Sequence, residues 1–139
     1  MLDFATEIRV RYADTDQMQF VYNGKYLEYF EVGRAEMMRS IGLPYLTLEA
    51  HGFMLPLLEA NVKYKNPAYY DDLLIVRAFV LQLPTLKVHI EYTIHRAEDS
   101  TLVAEGFTEH VFMKKESKNV VRPPEFFVQA LKPFYNKSE

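Results

Sequence analysis

After Gly42 the hydrophobic period of this chain changes from helical to alternating, and this change restricts the folds available to it. Apolar side chains in the first third recur at helical spacing: Leu27, Phe30, Met37, Met38 and Ile41. They predict a helix of about five turns. Asn23 is a residue type that often caps helix N-termini, and Gly42 is typical of the position just after a helix, so these two residues predict its ends.

Strand-like segments lie on both sides of this helix. Polar and apolar residues alternate at 7–12, which predicts a half-buried strand. Further β-type segments follow the helix at 58–64, 73–83, 86–96 and 101–114, with a short edge strand at 120–122 and a last helix opened by Pro123-Pro124-Glu125. Pro84-Thr85 and Glu98-Asp99-Ser100 are turns short enough for hairpins. The predicted fold class is α+β, with strands in antiparallel succession covered by one long helix.

Composition narrows the classes of function. The 139 residues predict a single domain spanning 1–139. A net charge of -3 gives no field that favours nucleic acid, and no apolar run approaches the roughly 20 residues of a membrane span. The absence of cysteine excludes a thiol nucleophile and thiolate metal ligands. We therefore expect a cytoplasmic protein that binds neither nucleic acid nor membrane.

A short acidic loop joins the first predicted strand to the long helix. It places the carboxylates of Asp14 and Asp16 between two regular elements, which is how a small domain can direct one acid at a pocket. An Asp in such a loop can also do no more than accept hydrogen bonds from loop amides. The loop is nevertheless the candidate active site.

Residues in and around this loop resemble a known family, the hot-dog-fold thioesterases of the 4-hydroxybenzoyl-CoA thioesterase type. The first matching group is Tyr-Ala-Asp-Thr-Asp at 12–16, Val21-Tyr22-Asn23, Tyr26, Phe30-Glu31 and Arg34. The second group is Val62-Lys63-Tyr64, Pro67 and Tyr70-Asp71-Asp72-Leu73. The resemblance covers nearly the whole chain and implies a hot-dog fold, in which an antiparallel sheet wraps around one long central helix.

The resemblance also implies an activity, the hydrolysis of acyl-CoA thioesters by a homodimer or homotetramer. Asp16 matches the family's catalytic carboxylate, which acts either as a nucleophile or as a general base on water. Asn23 matches the position whose backbone N–H faces the thioester oxygen at the helix N-terminus. Asp14, at the strand end, is expected to have a structural role only.

Other residues are candidates for substrate binding: Gln19, Val21, Tyr22, Tyr26 and Lys87. Gln19 stands where the family usually has glycine, and Lys87 is the basic residue left where some relatives hold the CoA phosphates. Tyr29 and Phe53 are further candidates for the wall of an acyl pocket. Glu31 and Arg34, three residues apart, are expected to form an ion pair on the helix.

The four histidines show no ligand spacing, so we expect no metal and no cofactor. Three alternatives to an acyl-CoA thioesterase stay open from sequence: an acyl-carrier-protein thioesterase, a hydratase or dehydratase of the same fold, and a non-catalytic acyl-binding module. The hydratase is disfavoured because none of the histidines lies in the loop or on the long helix.

Overall fold

The computed structural model describes residues 1–135, whose backbone forms two antiparallel sheets and three α-helices. The strands are β1 (Leu2–Arg9), β2 (Phe53–Met54), β3 (Leu57–Tyr64), β4 (Leu73–Val80), β5 (Val88–Arg96), β6 (Leu102–His110), β7 (Phe112–Lys114) and β8 (Val120–Val121). The helices are α1 (Lys25–Ser40), α2 (Tyr45–Ala50) and α3 (Glu125–Leu131), with 3-10 turns at Tyr12–Asp14 and Lys132–Phe134. The larger sheet has the order β1-β4-β5-β6-β3, and the smaller has the order β2-β7-β8.

Helix α1 is the main element packed on the inner face of the larger sheet, where it contacts β1, β3, β4 and β5. Its Phe30 ring is fully buried and stacks on Tyr92 of β5, with ring centroids 4.3 Å apart and planes 6° apart. Full burial of one such aromatic side chain contributes about 1.5 to 3 kcal/mol to folding. The prediction of a long helix against an antiparallel sheet is confirmed.

The buried side of α1 differs in one place from the predicted stripe. Phe30, Met37 and Met38 are buried as expected, but Leu27 is 40% exposed. The helix is oriented with its aromatic residues towards the sheet. Its buried residues are Tyr26, Tyr29, Phe30, Gly33, Met37 and Met38. Large rings bury more apolar surface than Leu27 does, so they take the core side.

The predicted antiparallel succession of β4, β5 and β6 is confirmed. The connection from β4 to β5 is longer than the predicted Pro84-Thr85 turn, because β4 ends at Val80 and β5 begins at Val88. The predicted succession is wrong for β3, which pairs with β6 at the far edge of the sheet and is not a neighbour of β4. Strand β1 takes the place beside β4 with an eight-residue register. Pairing between strands distant in sequence therefore overrides the simple order of the chain.

Two other predicted segments are also bounded differently in the structure. The first strand occupies Leu2–Arg9 rather than 7–12, because the Asp14 carboxylate accepts the Arg11 N–H and turns the chain into the 3-10 segment. The segment 101–114 is broken at Val111, whose N–H donates to the Pro56 carbonyl. This break passes the chain from β6 in the larger sheet to β7 in the smaller one.

Two glycines permit close contacts between α1 and the strands of the larger sheet. A Cβ atom at Gly106 would collide with the carbonyl oxygen of Asn61 on β3 and would lie 3.1 Å from the Phe30 ring. At Gly33 a Cβ atom would lie 2.8 Å from a methyl group of Val76 on β4. The distance between α1 and the sheet thus depends on two positions without side chains.

Among residues 1–135, no helix is long and apolar enough to cross a membrane.

Gly106→Ala is expected to destabilise the fold, since the added methyl must displace the Asn61 backbone or the Phe30 ring. Overpacking of this kind costs about 1 to 3 kcal/mol. Urea unfolding of this variant should show the loss, whereas the neighbouring Glu105→Ala, on the outer face, should change the free energy of unfolding by no more than about 0.5 kcal/mol. Equal midpoints for the two variants would contradict the role given to Gly106.

Candidate active site

Asp14 anchors the loop that carries the candidate site. Its side chain is 3% exposed and accepts hydrogen bonds from the Arg11 N–H at 3.1 Å, the Arg11 guanidinium at 3.2 Å and the Tyr29 hydroxyl at 2.9 Å. Lys25 Nζ, in the first turn of α1, lies 3.6 Å away. The carboxylate thus joins the end of β1 to the start of α1, and the predicted structural role of Asp14 is confirmed.

The protonation states of this cluster follow from its contacts. Burial by itself would raise the pKa of Asp14, but the hydrogen bonds from Arg11 and Tyr29 and the charge of Arg11 outweigh it and lower the pKa. The Tyr29 pKa is raised by burial and by its bond to this carboxylate. Asp14 is therefore a fixed anion, and Tyr29 is a fixed donor. Neither is available to exchange protons with a substrate.

Asp16 lies two residues further on, at the base of a small hairpin loop. Its N–H donates to the Phe20 carbonyl at 3.1 Å, and its own carbonyl accepts the Gln19 N–H at 2.8 Å. Its carboxylate is only half-buried, and Oδ1 accepts the Met18 N–H at 2.9 Å. Among residues 1–135, the other oxygen, Oδ2, has no hydrogen-bond partner, so one carboxylate oxygen stays available.

Gln19 has the backbone conformation of a glycine. Its φ is 72°, in the left-handed region that costs a non-glycine residue about 1 kcal/mol. The loop needs this conformation to close the hairpin between Asp16 and Phe20. The side chain of Gln19 is exposed at the tip of the loop.

The N-terminus of α1 follows directly. The helix begins at Lys25 with Gly24 as its N-cap, so the predicted capping role of the Asn23 side chain is wrong by one residue. The Asn23 carbonyl accepts the Tyr26 N–H at 3.3 Å and the Tyr64 hydroxyl at 3.3 Å. In the part of the chain that the structure describes, the Asn23 backbone N–H has no acceptor. It is a donor at the positive end of the helix dipole.

A groove of about 300 Å³ opens beside this donor. The groove is lined by the predicted catalytic residue Asn23 and by two predicted binding residues, Val21 and Tyr26, but not by Asp16. The rest of its wall comes from Lys65, a weak candidate for CoA recognition, and from residues that sequence reasoning did not select: Phe20, Tyr64, Asn66 and Pro67. Their signal was present in the sequence, because Tyr64 and Pro67 belong to the second group of residues that resemble the family.

Contacts between separate loops build this groove. The Val21 N–H donates to the Ala68 carbonyl at 2.9 Å, and Phe20 forms a bridge with Tyr69. The rings of Tyr26 and Tyr64 meet edge to face with centroids 5.5 Å apart. Burial is the main reason that the pKa of Tyr26 is raised to about 12, so its hydroxyl stays neutral.

The other predicted binding residues lie outside this groove. The ring of Tyr22 covers Gly24 and is 55% exposed. Lys87 lines a separate cavity near Pro84 and lies 3.7 Å from Glu109. It is not among the residues that line the groove.

Tyr29 and Phe53 are not among the residues that line the groove. Tyr29 is buried against Asp14. Phe53 is half-buried and packs edge to face on Phe112, with ring centroids 6.1 Å apart.

The predicted ion pair between Glu31 and Arg34 does not form. Arg34 instead donates Nη1 to the Tyr92 hydroxyl at 3.2 Å, the first link of a polar chain inside the core. Tyr92 bonds Thr108 at 2.6 Å, Thr108 bonds His110 Nε2 at 3.0 Å, and His110 Nδ1 lies 3.3 Å from the Leu55 carbonyl. A donor at one end and a carbonyl at the other fix the direction of every bond, with His110 neutral and protonated at Nδ1.

Burial and the nearby Arg34 charge lower the pKa of His110 to about 4. No group of three or more His, Cys, Asp or Glu residues in the described chain is arranged to hold a metal ion.

Comparison with known proteins identifies relatives along almost the whole chain. The model of the thioesterase-like superfamily matches residues 10–131. The acyl-CoA thioesterase YbgC of Haemophilus influenzae is 32% identical over 99 residues, which cover 69% of this chain and 73% of that protein.

Two solved structures extend the similarity to the fold. The 1,4-dihydroxy-2-naphthoyl-CoA thioesterase of Synechocystis superposes with a TM-score of 0.87 at 26% identity, covering 97% of this chain and 99% of that one. The DHNA-CoA thioesterase of Staphylococcus aureus gives 0.85 at 30% identity, covering 100% and 99%. The resemblance seen in the residues and the predicted hot-dog fold are confirmed.

Asp14→Asn is expected to destabilise the protein by about 1.5 to 3 kcal/mol, because it weakens hydrogen bonds to a buried charge. The matched control is Asp16→Asn, two residues away, which should cost under about 0.5 kcal/mol because its carboxylate is half-exposed. Chemical denaturation of the two variants checks the difference. Coincident unfolding curves would show that Asp14 does not anchor the loop.

The pH dependence of stability should carry the signature of His110. Its folded pKa of about 4 lies below the unfolded value of roughly 6.5, so unfolded chains bind the extra proton between these values. The contribution of His110 to the free energy of unfolding is complete above pH 6.5 and is lost as pH falls towards 4. The loss is about 1.4 kcal/mol per pH unit where the folded and unfolded chains differ by one bound proton. His110→Gln should flatten that slope by about one proton, and exposed His51→Gln should not.

Proposed function

The chain belongs to the thioesterase-like superfamily, and on this premise we propose that it hydrolyses acyl-CoA thioesters to a free acid and CoA. The observation that carries the proposal is the Asn23 backbone N–H. It has no acceptor among the described residues, it stands at the N-terminus of α1, and it borders an aromatic groove beside the Asp16 loop. An acyl thioester presents the carbonyl oxygen that such a donor can bind.

The oxyanion is the first chemical requirement that this geometry meets. Addition to the thioester carbonyl places negative charge on its oxygen, which the Asn23 N–H and the positive end of the α1 dipole stabilise. The Tyr22 carbonyl, which belongs to the same peptide group as the Asn23 N–H, accepts the Lys25 N–H at 2.9 Å and holds that peptide in place. The donor is thus oriented before the substrate arrives.

The second requirement is an attacking group, and we assign it to Asp16. Its Oδ1 is held by the Met18 N–H, whereas Oδ2 has no partner in the described chain. That oxygen can add to the carbonyl carbon to give a mixed anhydride, which water then hydrolyses, or it can remove a proton from an attacking water. In either route CoA leaves as a thiolate, a good leaving group that needs little help from an acid.

The groove supplies the binding site for the acyl group. Phe20, Val21 and Tyr26 offer an apolar wall next to the oxyanion donor. Lys65 lines the same groove, 3.8 Å from Glu105, and is the one cationic residue among those that line it. Lys87 lines another cavity, so we do not assign it to the CoA phosphates. An acyl-carrier protein therefore remains the second carrier to be assayed.

We further propose that the protein works as a homo-oligomer. Strand β3 pairs with β6 on one side and, within residues 1–135, with no strand on the other. This edge exposes Leu57, Leu58 and Tyr64, each more than half accessible. Long apolar edges of this kind pair with other chains. Because Tyr64 also lines the groove, a second copy on β3 would complete the groove at the subunit boundary.

Asp16→Asn should abolish most of the hydrolysis while the protein stays folded. The amide keeps the shape of the carboxylate but is neither a nucleophile nor a base, so kcat should fall by about 10² to 10⁴ with little change in KM. Release of thiol from a panel of acyl-CoAs and acyl-carrier proteins gives the measurement.

Two matched variants sharpen this test. Asn23→Ala should keep most of the activity, because the proposed donor is the backbone N–H and not the side chain. Glu28→Gln, an exposed acid in the first turn of α1, should also stay near the wild-type rate. A wild-type protein that cleaves no thioester on the panel would favour the acyl-binding module, and an active Asp16→Asn would remove Asp16 from the mechanism.

A further inference from the structure

The connection between β3 and β4, residues 65–72, forms part of the groove through Lys65, Asn66 and Pro67. At its start, the N–H groups of Lys65 and Asn66 both donate to the Val103 carbonyl, at 2.9 and 3.1 Å. Pro67 has no N–H and cannot continue these contacts. The position of Pro67 therefore depends on what its carbonyl binds.

Arg96, at the end of β5, supplies that contact. Its Nη1 donates to the Pro67 carbonyl at 3.1 Å and to Asp72 Oδ2 at 3.3 Å. Its Nε donates to Asp99 Oδ1, in the turn between β5 and β6, at 3.1 Å. The guanidinium carries its donors in a rigid planar fork, so one side chain holds three acceptors in a defined arrangement. Arg96 is only 15% exposed, and it ties the β3–β4 connection to a neighbouring turn.

Asp72 extends this restraint towards the acidic loop. The oxygen that Arg96 contacts, Oδ2, also accepts the Tyr69 N–H at 2.9 Å. Tyr69 forms a backbone bridge with Phe20. The Phe20 carbonyl accepts the Asp16 N–H at 3.1 Å. A series of direct contacts therefore leads from the Arg96 guanidinium to the backbone of Asp16.

A second series of contacts leads towards the oxyanion donor. Ala68 follows Pro67 in the β3–β4 connection, and its carbonyl accepts the Val21 N–H at 2.9 Å. Val21 lies two residues before Asn23, whose N–H is the proposed donor. The β3–β4 connection thus supports the chain segment that carries both groups of the proposed reaction.

We propose that Arg96 is a positioning residue for this site, which holds the β3–β4 connection against the acidic loop and so fixes the width of the acyl groove. Arg96 is not among the residues that line the groove, so it acts through Pro67 and Asp72 and does not touch the acyl group. A misplacement of about 1 Å from a residue outside the chemistry can cost about 10²-fold in rate. The inference rests on the proposed hydrolysis of thioesters in this groove.

The outer face of the larger sheet offers a matched control. Arg77 on β4 pairs with Asp3 on β1, with Nε 2.7 Å from Oδ1, and its guanidinium lies 4.3 Å from the centroid of the Phe79 ring. None of these three residues lines the groove. Removing Arg77 therefore breaks an arginine–aspartate pair between two strands and leaves the β3–β4 connection as it is.

Arg96→Met and Arg77→Met are compared by their kcat and KM on a panel of acyl-CoAs. For Arg96→Met, kcat/KM on the best substrate should fall by about 10- to 100-fold. The ratio of kcat/KM between the best and the poorest substrate should fall by at least about tenfold, because the groove no longer has a fixed width. Arg77→Met should keep the wild-type ratio. Loss of folded protein alone lowers every substrate by the same factor and leaves this ratio unchanged.

Hydrogen exchange measured by NMR gives a readout that needs no substrate. In Arg96→Met the amides of Val21 and Tyr69 should exchange at least about tenfold faster than in the wild type, because their acceptors lie on the released connection. In Arg77→Met these two amides should exchange at the wild-type rate. Unchanged exchange and an unchanged substrate ratio in Arg96→Met would overturn the inference.

The acidic partners of Arg96 provide a second pair of variants, which serves if Arg96→Met does not fold. Asp72→Ala removes the link to Tyr69 and should reproduce both changes. Asp99→Ala leaves the contacts of Arg96 with Pro67 and Asp72 and should produce neither. Equal effects of the two variants would contradict the assigned route.

The two readouts separate this inference from the function on which it rests. A wild type that cleaves no thioester would defeat the proposed hydrolysis and any role of Arg96 in it, yet faster exchange in Arg96→Met would still show that Arg96 holds the connection. An active wild type whose substrate ratio survives Arg96→Met would overturn the positioning role and leave the Asp16 chemistry in place.

Discussion

The stacking of Phe30 on Tyr92 is the contact on which the remaining structure depends. It joins the middle of α1 to a central strand of the larger sheet, with the two rings nearly parallel and both buried. The stack can form because Gly106, on the adjacent strand, has no side chain to hold the Phe30 ring away. Once α1 is seated, its N-terminus is placed beside the groove and its middle beside the edge strand. The proposed oxyanion donor at the N-terminus of the helix depends on this placement.

The two loop carboxylates show how position decides chemistry. Asp14 and Asp16 are two residues apart and chemically identical, yet one is buried under Arg11, Tyr29 and Lys25 and the other is half-open. Burial with several donors makes Asp14 a permanent anion that fixes the loop to the helix. Asp16 is held by a single amide, and within residues 1–135 its Oδ2 has no partner. The buried acid thus fixes the loop that carries the acid proposed to attack.

A second polar feature lies within the core, in the chain of hydrogen bonds from Arg34 to the Leu55 carbonyl. Buried hydroxyl and imidazole groups are costly when unpaired, and here each one has a partner. The chain keeps His110 neutral and fixes the direction of the Arg34 guanidinium. The Arg34 side chain is thereby oriented by groups in the core of its own chain.

Local chemistry determined much of this protein in advance. Helical spacing predicted α1, and short turns predicted the β4, β5 and β6 hairpins, because both depend on residues close together in the chain. The residues of the acidic loop and their family resemblance selected Val21, Asn23 and Tyr26, which do line the groove. Tertiary structure alone decided that β3 pairs with β6, that Leu27 is exposed, that Arg34 turns to Tyr92 and that Lys87 lies elsewhere. Each of these outcomes depends on contacts between groups far apart in sequence, and no local pattern of residues specifies those contacts.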